Sequence, residues 1–464
     1  MPAITNTGDI TSTDRVAVGN QPDQTPPTGG TAASGGGSGG AGLPTGGAKY
    51  QYLAKTSASN YAAGWLTPDT FNVVTYGADP TGSASSLTAI NAALAAATSG
   101  GVIYFPPGSY KITGTITIPQ QNPTFVIKGA GARASWLQPN GNFDLFSGGY
   151  SGAKNFTVED IGCIYGSQQT TTSFVKWTAG NGLYLNRLLV YNCGHFLTLG
   201  TDQVGAAFNY AWVTGCSVQS QGGILWNLIG SMGAIYLRDN YSITAQSGTQ
   251  ILAHTGTHTP VIDAFWCESS DFEGYAKGVL FEYSADGGVV DGYFHNVIVG
   301  NGITGSHAIS VKPNTSTAGR CGNLVFDGVN ANCGGASHNA LNLDNAGTGY
   351  GVRGVWVRGC TLGASSGDGL YVGKADEVWV KDSNFNSSTN GIHVGASAGF
   401  VDIVANRVGL AGYGNSVGIL LDSGAAGGIV TSNDVRSNTT ALTNNWGANS
   451  VGVRYVANNF GVDV

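Results

Sequence analysis

From Phe71 to the C-terminus, apolar and polar residues alternate with a period of two, in short runs that recur at roughly twenty- to thirty-residue intervals. Alternation of this kind predicts half-buried strands, and its regular recurrence predicts strands stacked coil upon coil. One segment breaks the pattern. In SASSLTAINAALAAA, Leu87, Ile90, Leu94 and Ala97 fall at i, i+3, i+7 and i+10, the single apolar stripe of an amphipathic helix. Ser83 or Ser85 is the expected N-cap, and Gly100-Gly101 the expected end. A solenoid exposes its apolar interior at its first coil, and a helix placed there serves as a lid.

The coils can be put in register on an apolar-x-x-[Asn/Cys/Ser] pattern. This aligns Ile161, Cys193, Cys216, Asn240, Ser270, Asn296, Val329, Cys360, Ser383, Asn406, Asn433 and Asn458 as one file. Three residues earlier, the file Val158, Val190, Val213, Leu237, Cys267, Tyr293, Phe326, Val357, Val380, Ile403, Val430 and Tyr455 is expected to point inward. Two residues later most coils again supply an apolar or small side chain, with His195 and Ser242 as exceptions. An Asn repeated at a corner can donate and accept, so stacked copies satisfy one another. The fold class expected is all-β: a right-handed, single-stranded parallel β-helix capped by one N-terminal helix.

Two stretches carry family resemblances. The segment opening with VTYGADPTG and continuing to GGVIYFPPGSYKITGTITI resembles the pectate-lyase-like domain of phage tailspikes and related carbohydrate-active proteins, and the likeness extends over Phe71–Val464. The stretch LPTGGAKYQYLAKTSASNYAAGWLTP resembles a short module of bacteriophage tail fibres, with Tyr61 and Trp65 as its marks. The domain plan is then a virion-attachment segment with a Gly-rich tether (residues 1–42), the fibre-like module (43–70) and the β-helix (71–464). Ile4–Val18 is a possible docking segment within the first of these. The resemblances imply a homotrimer on a phage tail or baseplate, acting outside the cell on a bacterial surface polysaccharide. The first residues, MPAITNTGDITSTDRV, lack the basic-then-apolar layout of a signal peptide.

Composition narrows the partners. The 464 residues include 74 Gly but only 10% charged residues, with a net charge of −7 and pI ≈ 5.4. A nucleic-acid partner would need a basic stripe, and no run is apolar enough for a membrane span. Seven cysteines at wide spacing read as small buried hydrophobes, not as a disulfide framework. Several short motifs are chance matches in a Gly-rich chain. The G-x-G-x-x-A at Gly129–Ala134 has no helix after it, and the G-x-S-x-G at Gly363 and Gly414 lies between strands. His254 and His258 lack a third metal ligand. No cofactor or metal is called for.

Chemistry is expected on outward-facing files. Four residues before the corner file, successive coils present Trp212, Tyr236 and Trp266, and two before it Thr214, Arg238 and Glu268. Aromatic rings flanked by charge suit a sugar chain, and they equally suit a subunit interface. The same region holds the densest acidic cluster: Asp263, Glu268, Asp271, Glu273, Glu282, Asp286 and Asp291. Glycoside hydrolysis needs two carboxyl groups. Glu268, Asp271 and Glu273 are the candidates, with Asp239 or Asp327 as partners from flanking coils. For Glu268 the alternative is a plain ion pair with Arg238. A uronate lyase would need a base and cations; His254, Lys277, His295 and Arg238 lie in this region but form no tight basic cluster, which makes elimination the second choice. For the protein as a whole, a non-catalytic adhesin of the same fold is the second hypothesis and a bacterial extracellular pectate-lyase-like enzyme the third. The resemblance assigns no catalytic residue.

Overall fold

The computed structural model describes residues 51–55, 63–66 and 69–461, the last range interrupted at 120–123, 150–154, 202–206, 221, 245–247, 255–260, 275, 284–286, 303–305, 316–320, 387 and 447–453. The chain divides into two compact units, Met1–Pro68 and Asp69–Val464. In the first, Tyr52–Lys55 pairs antiparallel with Ala63–Leu66, a hairpin that sets Leu53 opposite Trp65. Ile4–Val18, the Gly-rich tract and the side chains of Tyr61 and Trp65 lie outside the described residues.

The second unit is a parallel β-helix. Its three sheets, I, II and III, hold 16, 13 and 13 strands among the described residues. The chain visits them in rotation. Val261–Glu268 lies in sheet I, Asp271–Glu273 in sheet II and Lys277–Glu282 in sheet III, before Gly292–His295 returns to sheet I. Each strand pairs in parallel with its counterpart one coil away. Alternate side chains therefore fill one continuous apolar core. There, rings stack in vertical series: Phe265 on Phe294 at 5.4 Å and Phe294 on Phe326 at 4.9 Å. Each such apolar side chain contributes about 1.5–3 kcal/mol by leaving water. All seven cysteines are buried free thiols within this core.

The helix spans Leu87–Ala96 and buries Ala89, Ile90, Ala93 and Leu94, with Ala97 beyond its end also buried. Its N-cap is Ser86, not Ser83 or Ser85, which belong to the strand Thr81–Ser85. The Ser86 hydroxyl accepts the Asp79 N–H at 3.0 Å instead of capping the helix. The Asp79 carboxylate in turn accepts the N–H groups of Ala84 and Thr81, which holds its pKa down to about 2. The helix stops at Ala97, ahead of Gly100 and Gly101.

From Asp160 onward, the coils turn between sheets I and II through the same two-residue bend. Its first residue is left-handed in twelve successive coils: Asp160, Arg187, Gly215, Asp239, Ser269, Asn296, Gly328, Gly359, Asp382, Ala405, Ser432 and Asn458. The second residue forms the inward corner file. Nine of its members are those expected, and Cys216, Asn240 and Ser270 do stack: the Cys216 N–H donates to Asn240 Oδ1 (3.1 Å) and the Asn240 N–H to Ser270 Oγ (3.3 Å). Further along, Ser383, Asn406, Asn433 and Asn459 form a ladder in which each backbone N–H donates to the next side-chain oxygen at 3.0 Å. Asn433 also donates to the Ile403 carbonyl.

Three members differ from expectation. Leu188, Val297 and Asn459 hold the file where Cys193, Asn296 and Asn458 were expected, because register pairs Asn186 with Thr214, Glu268 with His295, and Thr431 with Ala457. Asn296 and Asn458 are instead the left-handed residues of their bends, a conformation that Asn tolerates. The slips propagate. Leu185, Phe294 and Val456, not Val190, Tyr293 and Tyr455, complete the inward file of sheet I. His195 belongs to sheet III, in His195–Leu199. Ser242 does occupy the inward file of sheet II, fully buried, and its hydroxyl donates to Gln250 Oε1 at 2.6 Å.

Candidate functional site

On the outer face of sheet I, register places Tyr184, Trp212, Tyr236, Trp266 and Tyr293 directly over one another. Trp212 and Tyr236 stack with centroids 4.0 Å apart and planes 16° apart. At the next step the planes turn: Tyr236 meets Trp266 at 5.5 Å and 64°. Trp212 and Trp266 remain 42% and 43% exposed, so these rings are supported by one another yet still open to a ligand. Tyr184 and Tyr293 were not anticipated. Tyr293 was hidden by the one-residue slip, and Tyr184 by the placement of its own coil on Cys193 where register puts Leu188.

Two residues toward the corner runs a parallel file of polar groups: Thr214, Arg238, Glu268, His295, Asp327 and Arg358. A cavity of about 280 Å³ is lined by Trp212, Thr214, Tyr236, Leu237, Arg238, Trp266 and Glu268. It gathers all four expected substrate-binding residues and one expected carboxylate. A second depression, of about 590 Å³, adjoins it at Tyr184, Asn209, Tyr210, Trp212, Ala234 and Tyr236. Arg238 is in register with Glu268, but its guanidinium pairs with Asp239 (Nε to Oδ2, 3.4 Å) at the bend of its own coil. Further along the file, Asp327 accepts from Arg358 at 3.0 Å and lies 3.5 Å from His295 Nδ1.

Asp271 and Glu273 open sheet II immediately past the bend after Glu268. Being two apart on one strand, they share its outer face, with Cα atoms roughly 6.6 Å apart. Tyr241 is the register partner of Asp271 on the preceding coil. Asp271 is half-buried, and its Oδ1 is shielded from solvent without a hydrogen-bond partner. Burial first, and then the charge of Glu273, push its pKa up to about 6. Burial and the same two carboxylates also raise the Tyr241 phenol. Tyr241 was missed, although it sits one residue past the corner file, where the alignment already pointed.

The acidic cluster of the sequence is not a cluster in space. Glu282 ends a strand of sheet III. Asp263 stands earlier on the sheet I strand. Asp291 occupies a left-handed turn, its Oδ1 accepting from Asn323. Asp286 and the His254 side chain lie outside the described residues. Of the groups considered for a lyase, Arg238 and His295 fall in the polar file, whereas Lys277 opens a strand of sheet III. Among the described residues no group of three His, Cys, Asp or Glu is arranged to hold a metal ion.

The family model "Rhamnogalacturonase A/epimerase, pectate lyase-like" matches residues 70–186. The opening coils are thus similar to that family. That segment includes the capping helix and the first full coils. Among solved structures, the chain is similar to the A-module of the Azotobacter vinelandii mannuronan C-5 epimerase AlgE6, at 15% identity and TM-score 0.50, over 85% of this chain and 100% of that one. It is also similar to the catalytic unit of a GH87 α-1,3-glucanase from Streptomyces thermodiastaticus (17%, TM-score 0.48, 84% and 68%). A third similarity is to tailspike protein 3 of bacteriophage CBA120 (12%, TM-score 0.49, 89% and 66%). At these identities the likeness is one of fold. A comparison with curated protein sequences yields no match.

Proposed function

We propose that this chain is a tailspike-type receptor-binding protein of a phage, which binds a bacterial surface polysaccharide along sheet I and hydrolyses it. The observation that carries the reading is a stacked, open aromatic file on sheet I with a carboxyl group just past the bend, Asp271, whose pKa is raised to about 6. Rings take the apolar faces of the sugars, and Arg238, Glu268 and Thr214 take their hydroxyls. Asp271, titrating at about 6, is the proton donor to the departing glycosidic oxygen. Glu273, two residues along the same strand, is the partner carboxylate that activates water. Glu268 orients the sugar at the groove wall, and Asp239 steadies Arg238. The fibre-like module and residues 1–42 attach the protein to the virion, and three copies assemble, as the family resemblance implies.

Incubation with a panel of purified capsular and O-antigen polysaccharides tests this by the appearance of new reducing ends. Release without ultraviolet absorbance from an unsaturated uronate supports hydrolysis, and such absorbance would replace it with elimination. Binding without release would make the protein an adhesin. That second reading draws on the apolar supply of rings in the groove, which needs no chemistry to hold a glycan.

A further inference from the structure

The aromatic file continues past Tyr293. Register carries it through Val325 to Trp356 and Trp379, after which Asp402 ends it. Trp356 and Trp379 stack at 4.5 Å with planes 19° apart, and Trp356 is exposed. The Lys381 ammonium lies 5.9 Å from the centre of the Trp356 ring. One aliphatic coil thus separates two aromatic platforms on the same face and in the same file. From Trp212 to Trp379 the register passes six coil steps, which at the strand spacing is roughly 29 Å.

We infer that Trp356 and Trp379 form a second sugar-stacking platform for the same polysaccharide, so that the ligand is a linear chain lying along the solenoid axis and bridging both platforms. The inference rests on the glycan-binding reading above and extends it. Continuity is its first support: a ligand lying on Trp212, Tyr236 and Trp266 meets Trp356 and Trp379 without changing direction. The groups beside the rings are its second. Glu268, His295, Asp327, Arg358 and Lys381 line the whole interval with donors and acceptors for hydroxyl groups. Around the second platform, charges also pair within the molecule, Arg358 with Asp327 at 3.0 Å and Arg353 with Asp376 at 3.6 Å. The core of a protein–protein interface is depleted in carboxylates such as Asp327 and Asp376, though not in arginine. A polyhydroxylated chain accommodates them.

The test uses the full-length protein. The panel polysaccharide that binds it most tightly is cleaved to fragments and size-fractionated, and binding of short and long fragments is measured for the wild type, Trp266→Ala and the double variant Trp356→Ala/Trp379→Ala. The double variant should bind short fragments as the wild type does, and long ones weaker by roughly tenfold per ring lost. Trp356→Phe with Trp379→Phe, which keeps two stacked rings, should recover most of the loss. Undiminished affinity for long fragments, or equal weakening for both lengths, would overturn the inference while Trp266→Ala still reports on the first platform. Dissociation of an oligomer in the double variant, read by analytical ultracentrifugation, would give the second platform to a neighbouring copy instead. If the wild type binds no polysaccharide of the panel, the glycan-binding reading itself falls.

Discussion

Asp271 on sheet II and Asp368 on sheet III are both shielded carboxyl groups, but their surroundings differ. Asp368 is fully satisfied. One oxygen accepts from Asn390 Nδ2 at 2.6 Å and the other faces His393 Nδ1 at 2.9 Å, while His393 Nε2 reaches Asp422 at 3.1 Å on the next coil. Asp271 has an oxygen with no partner, and burial, then the charge of Glu273, raise its pKa. A buried polar network that is complete stiffens a structure, whereas one left incomplete keeps a group poised to change state. The Asp368–His393–Asp422 clamp is accordingly a staple between coils, whereas Asp271 is the group proposed as proton donor.

This contrast can be broken by substitution. The largest effect is expected from Asp271→Asn, which removes the proton donor: depolymerisation should fall by roughly 10²–10⁴-fold with the fold intact, as general acid catalysis would require. Wild-type activity should also decline as pH rises through about 6, where Asp271 loses its proton. Because its native pKa lies above the ordinary carboxylate value, Asp271 is a stability burden once the pH exceeds that ordinary value. Chemical denaturation at pH 7 should therefore find Asp271→Asn no less stable than the wild type. Retained activity would remove Asp271 from the mechanism.

Asp368→Ala should do the reverse, costing about 1–3 kcal/mol of stability by stranding His393 and Asn390, and leaving turnover unchanged. The clamp also carries a pH signature. Burial lowers the His393 pKa, but its bonds and charge interactions with Asp368 and Asp422 outweigh this and raise it. A raised histidine stabilises fully below its unfolded value, near 6.5, and the gain is lost as pH rises through the native value. The stability difference between wild type and His393→Gln should thus shrink from pH 6 toward alkaline pH, and a constant difference would mean the imidazole is held neutral. In the corner ladder, Asn433→Ala removes a buried side chain bonded to Asn406, Asn459 and Ile403, and about 1–2 kcal/mol should go with it. The smallest effect is expected from Arg238→Ala. Its exposed pair with Asp239 contributes below about 1 kcal/mol to folding, so any loss in this variant should appear in glycan binding.

Much of this was legible in the residues because a solenoid converts sequence period into spatial neighbourhood. The file through Cys216, Asn240, Ser270, Ser383, Asn406 and Asn433 could be read directly, and with it the stacking of Trp212, Tyr236 and Trp266. What misled was a second signal at the same corner. Asn is favoured both as a ladder member and as the left-handed residue before it, so by residue type Asn296 and Asn458 fit the place of the neighbours they precede. Leu188 carries no polar mark at all. Val190 and Cys193 are equally buried, so apolarity alone could not choose among them. The acidic residues between Asp263 and Asp291 misled in the opposite way, since consecutive strands of one coil face three different directions. The Asp368–His393–Asp422 clamp had no linear signature, being assembled from three separate coils.

The left-handed bend between sheets I and II has a consequence for how such a molecule diversifies. One edge is metronomic for twelve turns, while the coils differ in length, so insertions and deletions must be absorbed at the other two edges. Side chains just before the metronomic edge keep a fixed pitch whatever happens elsewhere. A surface with constant pitch is a ruler, and recognition along it is set by which residue stands at each graduation.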